Sequence, residues 1–298
     1  MSSETEAAQK VGAGWLLLFL APSMAGVILF YLWPILKTFI NSFMSFGAFG
    51  GMEFAGVENY IELVKDSTVP KALLNTLIYT GIVMCGIPIA VYIASLLNRP
   101  GLRFAWFFRL MFFMPYVAMP TAIALVWRMI YNSEFGFLNY VLSLVGIDGP
   151  AWVTTPGWAI LAVSLLGLWS SLGFAIIILS AGLRSIPAEL YEAAQVDGAG
   201  HARQFLSVTI PLLTPSIFFL TIITAISGFQ LFDLLYALMG TSNPAMPSTQ
   251  SLVYLFYEQA FPQNRKGYAS AIAIVILAIV GLITVIQFKL QKKWVSYV

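Results

Sequence analysis

Arg184-Ser185-Ile186-Pro187-Ala188-Glu189-Leu190-Tyr191-Glu192-Ala193-Ala194-Gln195-Val196-Asp197-Gly198 opens a polar interruption in an apolar chain, and the interruption runs on to Ile210. A helix is expected over its first half. Ser185 is placed to cap that helix, and Pro187 suits a first turn because its nitrogen needs no intrahelical partner there. Glu189 sets negative charge near the positive end of the helix. Leu190, Ala193, Ala194 and Val196 recur at helical spacing as an apolar stripe. Gly198 ends the helix, since glycine adopts the left-handed conformation of a C-terminal cap at little cost. A second short helix is expected over 199–208, with Phe205, Leu206 and Val208 on one side and His201, Arg203 and Gln204 on the other. It should stop before Pro211. The whole reads as a helix–turn–helix at a membrane surface. Taken alone, the pattern also fits an interfacial hairpin that only joins two spans. A DNA-reading pair is disfavoured, because Glu189, Glu192 and Asp197 offset Arg184, Arg203 and His201 and apolar runs tether both ends.

Outward from this stretch the chain is lipid-like. Of 298 residues, 59% are hydrophobic and 9% charged, whereas soluble domains carry about 25% charge. So few charges cannot cover a soluble fold of this size. A formal net charge of +2 gives no sign of a nucleic-acid partner. Six runs reach the length of about 20 apolar residues that a hydrocarbon core demands: 14–36, 72–97, 107–131, 158–183, 211–235 and 268–288. Residues 1–13 are expected as a short cytoplasmic lead, 14–288 as the membrane domain with the polar connection 184–210, and 289–298 as a cytoplasmic tail. The acidic start, Met1 to Glu6, differs from the basic start of a secretory signal, so the first span is expected to be retained.

Basic residues set the orientation. With the N-terminus inside, Arg99, Arg103 and Arg109 share one cytoplasmic loop, Arg184 and Arg203 the next, and Lys289, Lys292 and Lys293 the tail. Glu53, Glu58, Glu62 and Asp66 fall outside, balanced by Lys37, Lys65 and Lys71. Trp33, Trp127 and Trp294 are expected near the interfaces. Pro22, Pro34, Pro88, Pro115 and Pro120 lie within spans, where neighbours can satisfy freed backbone groups. Pro115 and Pro120 together point to a bent or unwound third span beside a cavity. Cys85 alone excludes an internal disulfide and reads as a small packing residue. With His201 as the sole histidine, a His-based metal site or triad has no raw material.

The polar stretch resembles the coupling loop of ABC importer permeases. Glu192-Ala193-Ala194, three residues, Gly198, nine residues and then Val208-Thr209-Ile210-Pro211 follow the family pattern, which closes on Ile-x-Leu-Pro. The resemblance implies an all-α polytopic membrane protein with six transmembrane helices, of the type I ABC importer permease fold. It implies that Glu192, Ala193, Ala194, Asp197 and Gly198 couple to a separate ATPase, with Glu192 facing basic groups of that subunit. The chain lacks a Gly-x-x-x-x-Gly-Lys-Ser/Thr phosphate loop, so ATP and Mg²⁺ are expected on the partner and no cofactor on this chain. The implied partners are a second homologous permease, two ATPase copies, an extracytoplasmic solute-binding protein and the lipid bilayer. The implied location is the plasma membrane of a bacterial or archaeal cell.

Other segments resemble the carbohydrate-uptake branch: Phe54-Ala55-Gly56-Val57-Glu58-Asn59-Tyr60, Asn75-Thr76-Leu77, Phe112-Phe113-Met114-Pro115-Tyr116, Trp169 with Gly173-Phe174, and Phe229 to Phe232 leading to Asn243-Pro244. The first is similar to the maltose-F or glycerol-phosphate-A type of subunit. The likeness implies a substrate pathway through Tyr116, Thr121, Gly173, Phe229 and Gln230, although Met119 makes the stretch towards Thr121 one residue longer than in the family. Polar groups inside spans tend to face cavities, which adds Ser170, Ser171 and Asp233. Serine hydroxyls equally back-bond to their own helix. Asp233 reads as the one acid well inside a span. Aromatic faces beside amide and hydroxyl groups suit a sugar. Glycerol phosphate, phosphate or polyamine remains an alternative on the same machinery, and for a phosphate ester Arg128 is the residue to watch. An ion-coupled secondary transporter would carry several buried acids. An intramembrane protease would need paired Asp, Ser with His, or a zinc motif, and none is present.

Overall fold

The computed structural model describes residues 13–47, 51–99 and 101–295, so all of the expected lead at 1–13 except its last residue, and the last residues 296–298 of the tail, lie outside the described residues. Five helical segments are long and apolar enough to cross a membrane: Leu18–Asn41, Thr68–Leu97, Trp158–Arg184, His201–Phe229 and Lys266–Trp294. The pair Ala105–Val117 and Pro120–Ile130, bent by 101° at its break, makes a sixth span, third in chain order, when the two helices are counted as one. Large apolar side chains such as Phe30, Leu125 and Leu282 stand exposed along these helices. An aqueous solvent would penalise that surface, whereas lipid does not.

Proline chemistry explains the irregularities. Each proline lacks an N–H and presses on the carbonyl four residues earlier. For Pro34 that carbonyl belongs to Phe30, at the middle of a π-helical turn, Ile28–Leu32. For Pro211 it belongs to Ser207, at the middle of a second π turn, Phe205–Thr209. For Pro88 it belongs to Met84, where the second span breaks before resuming at Gly86. The bend in the third span has a different cause. A residue before proline is pushed to extended geometry, and Met119, which precedes Pro120, has φ −58° and ψ 129°.

The fourth span is the hub, packed against the second, third and fifth. On the side of the Arg184–Pro211 hairpin the core is built from Ile87, Ala90, Leu172, Ile176 and Leu213. Towards the other side it is built from Tyr79, Tyr131, Val163, Leu166 and Leu235. A third cluster, including Val69, Phe229, Leu252 and Tyr268, joins the second, fifth and sixth spans.

Two of the sequence motifs prove to be clamps. Gly56 turns with φ +57° after a small antiparallel hairpin that pairs Met44 with Phe54. Asn59 then donates to the carbonyls of Ser42 (2.8 Å) and Met44 (3.0 Å), and Tyr60 shares a hydrogen bond with Ser42 Oγ at 2.7 Å. Asn75 Nδ2 donates to the carbonyls of Ser248 (3.0 Å) and Gln250 (3.1 Å), while Thr76 Oγ1 accepts from the Leu252 N–H at 3.1 Å. Beside them, burial pushes the Asp66 carboxyl up. Hydrogen bonds from Thr68 and Tyr268, with Arg265 nearby, outweigh that and hold it below the ordinary carboxylate value.

Asn75→Ala strands the buried Gln250 carbonyl and the part-buried Ser248 carbonyl, and is expected to cost about 1–3 kcal/mol. Thermal unfolding in detergent checks it, and an unchanged midpoint would reduce the clamp to a passive contact.

Several expectations need correction. The second hairpin helix does not stop before Pro211 but runs on to Phe229 as one segment, because the π turn absorbs the missing hydrogen bond. The fifth span ends at Phe229 rather than near 235. There the Leu231 carbonyl leaves the helix and accepts from Ser251 Oγ at 2.5 Å. Asp233 is therefore not inside a span. It is the exposed first residue of the short helix Asp233–Met239, where negative charge meets the helix's positive end. Cys85 is exposed rather than packed, because the break at Met84 turns it outward. Trp127 packs on Tyr131 and Trp169, with centroids 5.1 and 5.3 Å away.

Candidate functional site

The polar hairpin folds without a core of its own. Its first helix is Ala188–Val196, and no residue of it is buried. Pro187 stands at the cap position with extended backbone (φ −58°, ψ 136°), just outside the first turn. Ser185 does not cap it. Its hydroxyl donates back to the Gly182 carbonyl at 2.8 Å, finishing the fourth span instead. The apolar stripe is left outward too, with Val196 at 88% and Leu190 at 39% relative exposure. Glu189 does lie in the first turn.

The turn is tightly specified. Gly198 has φ +74°, its N–H donates to the Gln195 carbonyl at 2.9 Å, and the Ala199 N–H donates to the Ala194 carbonyl at 2.8 Å. Those two bonds make a Schellman motif, which needs a left-handed residue at this point. Asp197 is the C-cap, its N–H bonded to Ala193 at 3.0 Å. Across the hairpin, Tyr191 and Thr209 share a hydrogen bond at 3.0 Å, and Gln204 Nε2 donates to the Ala199 carbonyl at 2.8 Å. The hairpin is thus braced internally while Glu192, Ala193 and Asp197 stay exposed. Glu192, Tyr191, Gln195 and His201 line a groove of ≈ 560 Å³ that Arg99 closes from the second span.

Beneath the hairpin a polar latch ties three spans together. Arg109 Nη2 donates to the Leu97 carbonyl (2.8 Å) and to Asn98 Oδ1 (3.0 Å). Asn98 Nδ2 in turn donates to Ala94 O (2.8 Å) and Ser180 Oγ (2.9 Å). The ends of the second and fourth spans and the start of the third are thereby tied to one another at the root of the hairpin.

A separate cavity of ≈ 240 Å³ lies between the second, third, fourth and fifth spans, midway along the fourth. Pro115, Tyr116, Ala118 and Pro120 bring the bend of the third span into its wall. Tyr116 stacks on Phe174, centroids 5.0 Å apart and planes 20° from parallel. Thr224 and Ser227 contribute hydroxyls from the fifth span, and no Asp, Glu, Lys, Arg or His among the described residues lines the space. Ser170 and Ser171 also line it, yet their hydroxyls donate to Gly167 O (3.0 Å) and Leu168 O (2.9 Å) of their own helix.

Among the pathway residues expected from sequence, Tyr116, Ser170 and Ser171 line this cavity. Gly173 instead lets the third and fourth spans touch, for a Cβ there would lie 2.1 Å from the Phe112 carbonyl oxygen. Phe229 is 1% exposed and packed with the sixth-span cluster. Thr121, Gln230 and Asp233 are exposed, the last two beyond the end of the fifth span. Arg128 is exposed in the last turn of its helix and lies outside the cavity wall. Thr224 and Ser227 had a legible signal that the sequence reading passed over. With Leu220 and Ile223 they recur at helical spacing on one face of the fifth span.

Residues 82–297 match the profile of the family described as "Binding-protein-dependent transport system inner membrane component". The chain is 34% identical over 281 residues to the probable ABC transporter permease protein YurN of Bacillus subtilis (strain 168), covering 92% of this chain and 95% of the relative. It is 34% identical over 283 residues to the multiple sugar-binding transport system permease protein MsmF of Streptococcus mutans serotype c, covering 94% and 96%. Its fold resembles a chain of the bacterial alginate ABC transporter crystallised with an alginate pentasaccharide-bound periplasmic protein. That match has a TM-score of 0.82 at 20% identity, over 94% of this chain and 95% of the other.

Proposed function

We propose, from the premise that this chain belongs to the family of binding-protein-dependent transport system inner membrane components, that it is the membrane-spanning permease through which an ABC importer moves a carbohydrate. The observation that carries the reading is the exposed hairpin with its Glu192 face and Gly198 turn, on a chain that has no phosphate loop of its own. Such a chain can receive ATP-driven motion but cannot generate it. Two ATPase subunits hold ATP and Mg²⁺, a second related permease completes the pathway, and an extracytoplasmic binding protein delivers the solute. The hairpin and both termini face the cytoplasm, in keeping with the basic residues on that side.

The chemistry of the cavity supports a neutral sugar. Stacked Tyr116 and Phe174 offer an aromatic face for the apolar side of a pyranose, and Thr224 and Ser227 offer hydroxyls for its rim. A phosphate ester would need a cation there. Closure of the ATPase pulls the hairpin and, through Arg109 and Asn98, the third span, which is already hinged beside the cavity. Transport is then a shift of population between two arrangements.

The test is uptake of labelled sugar into proteoliposomes holding the assembled transporter and its binding protein. Uptake is expected only with ATP and the ATPase. Uptake driven by an ion gradient alone would overturn the proposal. Within the same assay, Tyr116→Ala is expected to lower uptake about tenfold, the equivalent of ~1.4 kcal/mol, with assembly intact. Tyr116→Phe keeps the stack and is expected to stay within about twofold. Equal rates for the wild type and the alanine variant would remove Tyr116 from the pathway.

A further inference from the structure

Two grooves meet at the hairpin end of the second and third spans, and the site function leaves both unused. The first, of ≈ 390 Å³, is lined by Asn98, Arg99, Arg109 and Arg184 together with Gly101 and Ile186. The second, of ≈ 520 Å³, is apolar along Leu96, Leu97, Leu102 and Phe108. They share Leu97, Arg99, Gly101 and Leu102, so a basic recess opens directly into an apolar channel on the outside of the spans.

The basic recess lacks an anion. No carboxylate lines it, and the one salt bridge among the described residues, Arg265 with Glu62, lies at the far end of the sixth span. Arg109 spends one terminal nitrogen on Leu97 and Asn98, while its Nε is buried with no hydrogen-bond acceptor. Arg99 and Arg184 are exposed. Arg99, Arg109 and Arg184 put three like charges around one recess, and an anion there lowers their mutual repulsion. Guanidinium groups recognise phosphate through paired N–H donors. A free phosphate would satisfy the recess and leave the apolar channel unexplained. Leu102 and Phe108, 41% and 42% exposed, need an apolar occupant continuous with that anion.

We propose that this double groove binds one anionic phospholipid from the leaflet on the hairpin side. Its phosphate lies among Arg99, Arg109 and Arg184, and an acyl chain lies along Leu96, Leu102 and Phe108. Basic pockets between transmembrane helices hold lipid headgroups in this way. Because Arg109 also carries the latch to Asn98 and Ser180, the lipid would brace the root of the hairpin.

The test uses the assembled transporter, with its ATPase, purified in mild detergent containing equal amounts of phosphatidylglycerol and phosphatidylcholine of identical acyl chains. Retained lipid is extracted and quantified by mass spectrometry. Phosphatidylglycerol is expected to be enriched at least fivefold over phosphatidylcholine, and the double variant Arg99→Gln with Arg184→Gln to lose most of that enrichment. Arg99→Lys with Arg184→Lys should keep at least half of it. Equal retention of the two lipids, or unchanged enrichment in the glutamine variant, would overturn the proposal. So would complete displacement by inorganic phosphate, which would make this a simple anion site. Enrichment seen only when the ATPase is absent would assign the surface to a protein contact and equally overturn it. If the glutamine variant fails to assemble, Leu102→Ser leaves every charge in place and is expected to lower enrichment at least twofold; no change there would count against the acyl channel. Bound lipid is read without sugar or turnover, so a complex that retains the lipid but moves no sugar counts against the transport reading alone.

Discussion

Gly198→Val is expected to abolish ATP-driven uptake while leaving the permease at its normal level in the membrane. The hairpin turn requires φ +74° at this residue. An L-residue in that region costs about 1–2 kcal/mol, and a β-branched one more. No atom lies within 4 Å of where the new Cβ would stand, so the penalty arises wholly in the backbone. The two helices of the hairpin would then meet at another angle, and the exposed Glu192 face would no longer match its partner. Gly198→Asn separates this account from a steric one, because asparagine adopts the left-handed region readily. It is expected to retain most of the activity. Glu192→Lys approaches the same contact through charge. Glu192 is exposed and holds no hydrogen bond or ion pair within the described residues, so its reversal should spare the fold and detach the ATPase. Co-purification of the ATPase measures both variants. Normal retention and transport in Gly198→Val and Glu192→Lys would remove the hairpin from the coupling path.

Gly173→Val is expected to fail at an earlier stage, in the membrane-embedded fold itself. A Cβ on Gly173 would lie 2.1 Å from the Phe112 carbonyl oxygen and 2.7 Å from Phe113 Cα. Both are backbone atoms, so no rotamer change relieves the clash, and the third and fourth spans would have to part. Overpacking a core costs about 1–3 kcal/mol when side chains can adjust, and more is expected here. Small residues allow this closeness between membrane helices. The expected result is a large loss of folded protein after solubilisation, read by size-exclusion profile and melting temperature. Gly173→Ala should show the same defect in milder form. A variant that melts like the wild type but transports poorly would move Gly173 from packing to the substrate path.

The spans were legible because lipid imposes a length and a composition that sequence displays directly. Their ends were less legible. Pro211 looked like a boundary, yet a helix that widens by one π turn runs through it. The fifth span looked continuous to 235, yet Ser251, twenty residues further on, captures the Leu231 carbonyl and ends it. The motifs around Asn59 and Asn75 were visible as likenesses, but their work as clamps depends on partners up to 176 residues distant. The cavity was the least legible feature. Tyr116 and Phe229 are both aromatic residues within segments that resemble the carbohydrate-uptake branch. The phase of each helix against its neighbours turns one into the cavity and the other into the core.

The hairpin at Arg184–Pro211 marks the division. Sequence alone determined that a polar helix, a glycine turn and a second helix interrupt the spans, because capping and left-handed geometry are local properties of the residues concerned. It also determined that the chain crosses a membrane, since too few charges exist to cover it in water. Tertiary structure alone decided that the first hairpin helix buries nothing, that Arg109 and Asn98 tie its root to three spans, and which hydroxyls line the cavity. Those outcomes depend on contacts between residues far apart in the chain, and they are fixed only when the helices take their depth and rotation against one another.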